Sequence, residues 1–139
     1  MAEAFLRDVE EAFAFLRDEP GYELLEADAS GSFDNAWVSY RSARLRVRIT
    51  RERGQVFADF APPDGPPDWF DASTLLGYLG SEALVASHTQ SDQRSLPDLA
   101  YMIQPFCDAI AELFAASRRE YNVQQIHAFR DERSRLRWG

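Results

Sequence analysis

Apolar and polar residues alternate strictly along residues 44–49, which read Arg-Leu-Arg-Val-Arg-Ile. Because successive side chains of a strand point to opposite faces, the three aliphatic residues share one face of this segment. The other face takes three cations, Arg44, Arg46 and Arg48. This period of two is typical of a sheet with one buried face and one face in water. The segment therefore predicts the middle strand of a sheet.

The residues on either side extend this strand into an antiparallel meander over Trp37–Ala61. Trp37–Arg41 forms the preceding strand, joined by a two-residue connection at Ser42-Ala43, and Gln55–Ala61 forms the following one. Tyr22–Ala27 alternates poorly but is compatible with one more strand. The pattern thus predicts a sheet of three or four antiparallel strands.

Helical periodicity surrounds the meander on both sides. Residues 3–18 carry apolar side chains at spacings of three and four, and residues 119–136 form the last helix. Asp71 and Ser95 precede two further apolar segments and are good N-caps. Pro105 lies inside the second of these, so we expect a kink or break near Tyr101-Met102. Pro62–Asp68, with four prolines and a glycine, predicts a stiff exposed loop.

These elements predict an α+β fold in a single domain over residues 1–139. We expect one face of the sheet to be covered by the first and third helices, which belong to the N-terminal and C-terminal parts of the chain. A chain of this length buries about 68–70% of its unfolded surface, which is enough for a core of its own.

Charge is unevenly distributed around a net value of −8. Residues 1–35 and 56–117 each carry a net charge of −8, whereas residues 36–55 carry +5 and residues 118–139 carry +3. All 15 basic residues are arginine, which suggests a bacterial genome rich in G and C. Overall acidity argues against DNA binding, which depends on a basic field.

The cysteine content and the targeting signals of the chain predict its cellular compartment. Cys107 is the single cysteine, so no intrachain disulfide can form. We find no apolar segment of membrane-spanning length and no signal-peptide pattern, and therefore expect a cytoplasmic protein without a membrane partner. Cys107 lies on an apolar helical stripe, where a small buried side chain is expected.

Motifs for catalysis, metals and nucleotides are missing from the sequence. His88 and His127 lack a second ligand at a recognised metal-binding spacing, and Asp131, one turn after His127, suggests a surface pair. Ser87 and His88 are neighbours in a predicted loop over Ser81–Arg94, but adjacency does not create a nucleophile–base pair. We therefore predict no catalytic residues, no metal and no cofactor, and favour a protein that is not an enzyme.

The arginine face of the meander is the main candidate for function. Arg44, Arg46 and Arg48 follow one another on the same strand face, and Arg41 lies on the neighbouring strand. A guanidinium binds carboxylates or phosphates through two parallel hydrogen bonds. The simpler alternative is cross-strand pairing with acids such as Asp59 or Glu23. Trp69, which follows the Pro-rich loop, packs on its prolines or faces a partner.

RNA binding is a third possibility for this face, because sheets that read RNA stack bases on exposed aromatic residues. Three aromatic residues of the meander qualify, depending on strand register: Trp37, Tyr40 and Phe57. So few platforms on an acidic protein make RNA the weakest of the candidates.

The layout of residues 1–115, together with the phrases at Val38–Val47 and Arg51–Val56, resembles small uncharacterised bacterial α+β proteins. Some of that group resemble immunity proteins of bacterial toxin systems. The resemblance implies a cytosolic, non-catalytic role in binding a protein, and carries no site residues across. The arginine face departs from a purely acidic decoy.

Three functions are therefore carried forward. The main hypothesis is a non-enzymatic protein that binds a protein partner or forms a homodimer, through its acidic helical surface or its arginine face. The rival is a small anionic-ligand-binding or enzymatic domain, with a site between the sheet and Ser81–Arg94 that uses Arg44, Arg46 or Arg48. The third is weak RNA binding.

Overall fold

The fold was analysed in a computed structural model of the chain, which describes residues 2–18, 21–28, 35–52, 55–65, 68–80 and 95–138. Five strands form one sheet: β1 (Glu23–Asp28), β2 (Ala36–Arg41), β3 (Arg46–Glu52), β4 (Gln55–Ala61) and β5 (Phe70–Asp71). They lie in sequence order and every neighbouring pair is antiparallel.

The helices precede and follow this sheet along the chain. They are α1 (Ala2–Ala12), α2 (Ala14–Asp18), α3 (Ala72–Tyr78), α4 (Leu96–Ile103), α5 (Cys107–Leu113) and α6 (Arg119–Trp138). A 3-10 turn, Gln104–Phe106, separates α4 from α5. Within the described part of the chain, no helix combines the length and the apolarity needed to cross a bilayer.

The predicted α+β class and the antiparallel meander are confirmed, but the described residues form a sheet of five strands, not three or four. The poorly patterned segment became β1, whose first five residues are exposed. β5 was missed because two residues are too few to show a period. Its partners are Asp59 and Phe60 of β4.

The core lies on one side of the sheet, where Val47 and Ile49 are fully buried as the alternation predicted. Helix α1 contacts β1, β2 and α4, and α4 also contacts β4. At the far end, α3 contacts β4, β5 and α6. The first predicted helix is interrupted at Phe13, which is buried, and continues as α2.

The connection between β2 and β3 is longer than the predicted two residues. The Ser42 hydroxyl accepts hydrogen bonds from the backbone N–H of Arg44 at 3.1 Å and of Leu45 at 3.2 Å. Neither Ser42 nor Ala43 favours the positive φ of a tight hairpin turn, and this side-chain bonding supports a wider turn in its place. Strand β3 therefore begins at Arg46, and Arg44 belongs to the turn.

Local features of the sequence set the ends of the helices after the sheet. Asp71 caps α3 by accepting from the backbone N–H of Thr74, and Ser95 caps α4 by accepting from that of Asp98. Gly80 has a φ of +88°, a left-handed conformation that suits glycine at a helix end. The break caused by Pro105 lies at Gln104–Phe106, slightly later than expected, where a 3-10 turn replaces the α-helix.

Candidate functional site

The face of the sheet opposite the core, called here the open face, brings separate parts of the sequence into rows. Cross-strand register places Trp37 beside Thr50, and Thr50 beside Phe57. The next row, nearer the Pro-rich loop, contains Arg48, Asp59 and Asp71, from three consecutive strands. Neighbouring strands lie about 4.8 Å apart, so each row forms a contiguous patch.

Between these rows and the start of α3 lies a groove of about 460 Å³. This volume falls within the range of sites for small molecules, about 300–1,000 Å³. Its lining is aromatic, polar and charged apart from two alanines: Trp37, Arg48, Thr50, Glu52, Phe57, Ala58, Asp59, Asp71, Ala72 and Ser73. Phe57 is one of the few large apolar side chains of the described residues that remain exposed, at 39%.

Arg48 lies at the centre of the second row. Its Nη2 donates to Oδ2 of Asp59 at 3.3 Å, and its guanidinium carbon lies 4.5 Å from the centroid of the Trp69 ring. The pairing with Asp59 is the cross-strand alternative considered from the sequence. Nε of Arg48 is buried and has no hydrogen-bond acceptor. Both the charge and one flat side of Arg48 are therefore already engaged.

Asp59 is largely buried, and burial raises its pKa, because desolvation disfavours the carboxylate. The charge of Arg48 and its hydrogen bond act in the opposite direction, and nearby Asp71 raises the pKa further. Asp59 thus has its negative charge matched by one cation and crowded by a second acid.

Asp71 serves two purposes at the edge of the groove. Burial raises its pKa, but hydrogen bonds from the Ser73 hydroxyl and from the hydroxyl and backbone N–H of Thr74 outweigh burial, so the pKa of Asp71 is lowered. The carboxylate therefore stays ionised at neutral pH while it caps α3. Glu52 is exposed at the other end of the groove and forms no ion pair with a described residue.

The lining residues of this groove carry more acids than cations, and a further cation, Arg133, donates to the backbone carbonyl of Ser73 at 3.3 Å. Arg48 and Asp59 offset each other, which leaves the charges of Glu52 and Asp71 without a matching cation among the lining residues. Aromatic faces at Trp37 and Phe57 add the negative ring quadrupole that attracts cations. The chemistry of this lining suits a cationic group, whereas the rival hypothesis from the sequence placed an anion against these arginines.

The remaining arginines of the predicted face have separate surroundings. Arg46 is 8% exposed and donates to the backbone carbonyls of Pro62, Asp64 and Gly65 at 2.5–3.1 Å. Burial lowers its pKa, the charge of Asp64 opposes this, and Arg41 and Arg119 lower the pKa further. This guanidinium attaches the Pro-rich loop to the sheet. Pro62 and Pro63 are buried, so the loop is less exposed than predicted.

Arg44 lies in the β2–β3 turn and reaches helix α5, where it pairs with Glu112 at 3.0 Å and Asp108 at 3.6 Å. Arg41 is exposed at the end of β2, beside Arg46 in register, and has no ion pair among the described residues. The four arginines therefore do not form one shared surface. Of the five predicted site residues, Arg48 alone lines the groove, with Trp69 stacked on it.

Sequence reasoning singled out Trp37, Phe57 and Tyr40 as stacking candidates, and the register separates them. Trp37 and Phe57 face the groove, whereas Tyr40 is 8% exposed on the core side. Glu52 and Asp71 were not recognised as site residues. Their alternation with Arg51 and Phe70 was visible in the sequence, but which strands neighbour each other was needed to join them.

His127 is paired differently from the prediction. Its Nε2 lies 2.8 Å from Oδ2 of Asp68, not against Asp131, and its Nδ1 faces Nη2 of Arg130 at 2.5 Å. Because arginine only donates, Nδ1 accepts its hydrogen bond, and Nε2–H donates a hydrogen bond to Oδ2 of Asp68. This arrangement ties α6 to the residues before β5, in addition to the ring contact with Phe70 at 5.0 Å.

Metal and nucleophile candidates are few in the described ranges. These ranges contain no group of three His, Cys, Asp or Glu residues that could hold a metal ion. The Cys107 thiol is half-buried and donates to the carbonyl of Ile103 at 3.5 Å. Ser87, His88 and the rest of Ser81–Arg94, where the rival hypothesis placed its site, lie outside the described residues.

Comparisons of the chain with protein-family models, with curated proteins and with solved structures gave no significant match.

Proposed function

We propose that this protein is a non-enzymatic binding protein whose open-face groove receives a basic segment of a protein partner. The observation that carries the proposal is the lining of the groove, where Trp37 and Phe57 lie between Glu52 at one end and Asp59 and Asp71 at the other, and Arg48 is the one cation among the lining residues. A cation over an aromatic ring gains about 0.5–2 kcal/mol, more as water is excluded. Arginine adds a planar face and several donors for Glu52 and Asp71.

Binding is favoured over acid–base chemistry by the existing bonds of the carboxylates. Asp59 is held by Arg48, and both oxygens of Asp71 accept hydrogen bonds within the cap of α3. Groups fixed in this way contribute charge and shape, and are poorly placed to exchange protons with a substrate. An immunity-like role in the bacterial cytosol, shielding a basic surface of a toxin, is consistent with this chemistry.

The anionic-ligand alternative rests on Arg48, whose Nε lacks an acceptor. That atom is buried, however, and the rest of the guanidinium is shared between Asp59 and Trp69. An incoming phosphate would also meet the charges of Glu52 and Asp71. RNA meets the same repulsion along its backbone, although Trp37 and Phe57 offer stacking surfaces.

The proposal is tested with a fluorescently labelled peptide of about eight residues in which Arg and Val alternate, long enough to match one strand. A peptide with Glu in place of Arg is the matched control, and inorganic phosphate tests the anionic alternative. We expect the Arg peptide to bind, and the Glu peptide and phosphate not to. Fluorescence anisotropy reports peptide binding, and tryptophan emission reports phosphate.

Two variants separate the groove from general charge attraction. Trp37→Ala is expected to weaken Arg-peptide binding by about tenfold, as expected for an aromatic contact at the centre of an interface. Tyr101→Ala, which removes an 84% exposed aromatic residue on α4, is expected to leave binding unchanged. Equal affinity in wild type and Trp37→Ala, or preference for the Glu peptide or phosphate, contradicts the proposal.

A further inference from the structure

The two edges of the sheet differ in how they end. At one edge, β5 is only two residues long and leads directly into α3, which contacts it. At the other, β1 runs for six residues and pairs with β2 on one side alone among the described strands. An edge strand offers unpaired backbone N–H and C=O groups, and folded proteins usually shorten, cover or bend such edges.

Edge strand β1 is also unusually apolar at its surface. Leu24 is 49% exposed and Leu25 44% exposed, although both belong to a strand that contacts α1. A bulge between Leu24 and Glu26 shifts the register of β1 against β2 without interrupting the strand. The edge therefore combines backbone groups that pair with no further described strand with apolar side chains that another strand could cover.

The charges along β1 indicate which kind of strand could pair with this edge. Glu23, Glu26 and Asp28 pair in register with Arg41, Ser39 and Trp37, so these acids extend the open face beyond β2. A second copy paired antiparallel with full overlap would set Glu23 opposite Asp28. Like charges directly opposite each other destabilise a pair of strands. Self-association at this edge is thus disfavoured, and a basic strand is favoured.

We propose that β1 is a strand-addition site, where a basic segment of the protein partner pairs with the edge and becomes a sixth strand. This proposal rests on the proposed function and adds the mode of docking. The recognised segment alternates Arg or Lys with aliphatic residues. Its cations face Glu23 and Glu26 on the open face, and its aliphatic residues cover Leu24 on the other side.

Backbone pairing and groove binding are continuous on this surface. Asp28 lies beside Trp37, and Trp37 is a wall of the groove. A strand added to β1 lies about 10 Å from β2, so a long basic side chain on its open face can extend toward Trp37. Main-chain hydrogen bonds then supply affinity, and side chains of alternate residues supply specificity.

The test uses the alternating Arg/Val peptide with wild-type protein, and compares it with the same peptide N-methylated at alternate residues along one edge. N-methylation removes the donors that pair with β1 but keeps every charge. We expect the unmodified peptide to slow hydrogen exchange at the amides of residues 23–28. We expect the methylated peptide to bind at least about tenfold more weakly, since its main-chain bonds are lost.

Charge reversal gives an independent reading. Glu26→Arg is expected to weaken binding of the unmodified peptide by about tenfold, because the new cation repels the peptide's arginines at the edge. Glu132→Arg, the same change at an exposed acid on α6, is the matched control and is expected to change binding little. Circular dichroism and cooperative thermal unfolding check that both variants are folded.

Each remaining outcome overturns the proposal in a recognisable way. If both peptides bind equally and residues 23–28 stay unprotected, the partner uses the groove alone, and the proposed function survives without strand addition. If the Arg peptide does not bind at all, both proposals are wrong. If residues 23–28 are already protected without peptide, in a manner that depends on protein concentration, the edge is the interface of a homodimer.

Discussion

Arg48 lies between an acid and an indole, with Nη2 3.3 Å from Asp59 and its guanidinium carbon 4.5 Å from the centre of the Trp69 ring. Trp69 follows the Pro-rich loop, and the structure gives it this contact with the sheet. The arrangement converts a predicted anion-binding cation into part of the groove wall. Arg48 also supplies the charge and the hydrogen bond that stabilise the ionised carboxylate of Asp59 against burial.

Arg48→Met is expected to lower the free energy of unfolding by about 1–3 kcal/mol at neutral pH, since it leaves a largely buried carboxylate without its charged donor. Urea denaturation of wild type, Arg48→Met and the control Arg41→Met measures this. Arg41 is exposed, so its replacement is expected to have little effect.

The loss caused by Arg48→Met depends on pH in a defined direction. The folded-state pKa of Asp59 is already raised by burial, and removing Arg48 raises it further. A raised pKa makes the charged carboxylate destabilising by an amount that is full above the folded pKa, falls as pH drops below it, and is gone below the unfolded carboxyl pKa. The difference between variant and wild type should therefore shrink in mild acid. A difference that is constant with pH would show that lost packing on Trp69 dominates.

Arg46→Lys is expected to destabilise the fold by about 1–3 kcal/mol, because an ammonium cannot reproduce the fork that reaches three loop carbonyls. Arg46→Glu is expected to prevent folding, since it puts an acid where carbonyl oxygens converge. Thermal unfolding measures both, with Arg41→Lys as the control. If Arg46→Glu folds normally, the Pro-rich loop does not need this anchor.

Asp71→Ala is expected to lower the free energy of unfolding by about 1 kcal/mol, because the N-cap of α3 is lost. Asp71→Ser is expected to keep most of the stability that the cap provides. The pKa of Asp71 is lowered in the folded state, so the advantage over alanine is present above the unfolded carboxyl pKa and disappears as pH falls through the folded pKa. Denaturant titrations at several pH values measure this. The assignment is wrong if Asp71→Ser is as unstable as Asp71→Ala.

Local patterns gave reliable predictions where neighbours in sequence were sufficient. The alternation at residues 45–49, the caps at Asp71 and Ser95 and the last helix from Arg119 depend on side chains within a few positions. The break at Pro105 was expected for the same reason, since proline lacks the donor that its own helical turn requires. These features are confirmed to within a few residues.

Predictions that needed distant partners were less complete. The arginine face was predicted from one strand, but Arg44 lies in the turn before that strand, because hydrogen bonds to Ser42 support a wider turn. Arg46 was covered by a loop 16 residues later in the chain, which no period could reveal. β5 required Phe60 and Asp59 of another strand to define it.

The sequence by itself determined the α+β class, the core face of the meander and the helix ends, because periodicity and capping act over one or two turns of chain. Only the tertiary structure decided which acid met which arginine. Cross-strand register brought Trp37, Phe57, Asp59 and Asp71 to one groove and left β1 at an edge. The charge of that groove is a sum over residues far apart in the chain, so it could not be read from any one segment of the sequence.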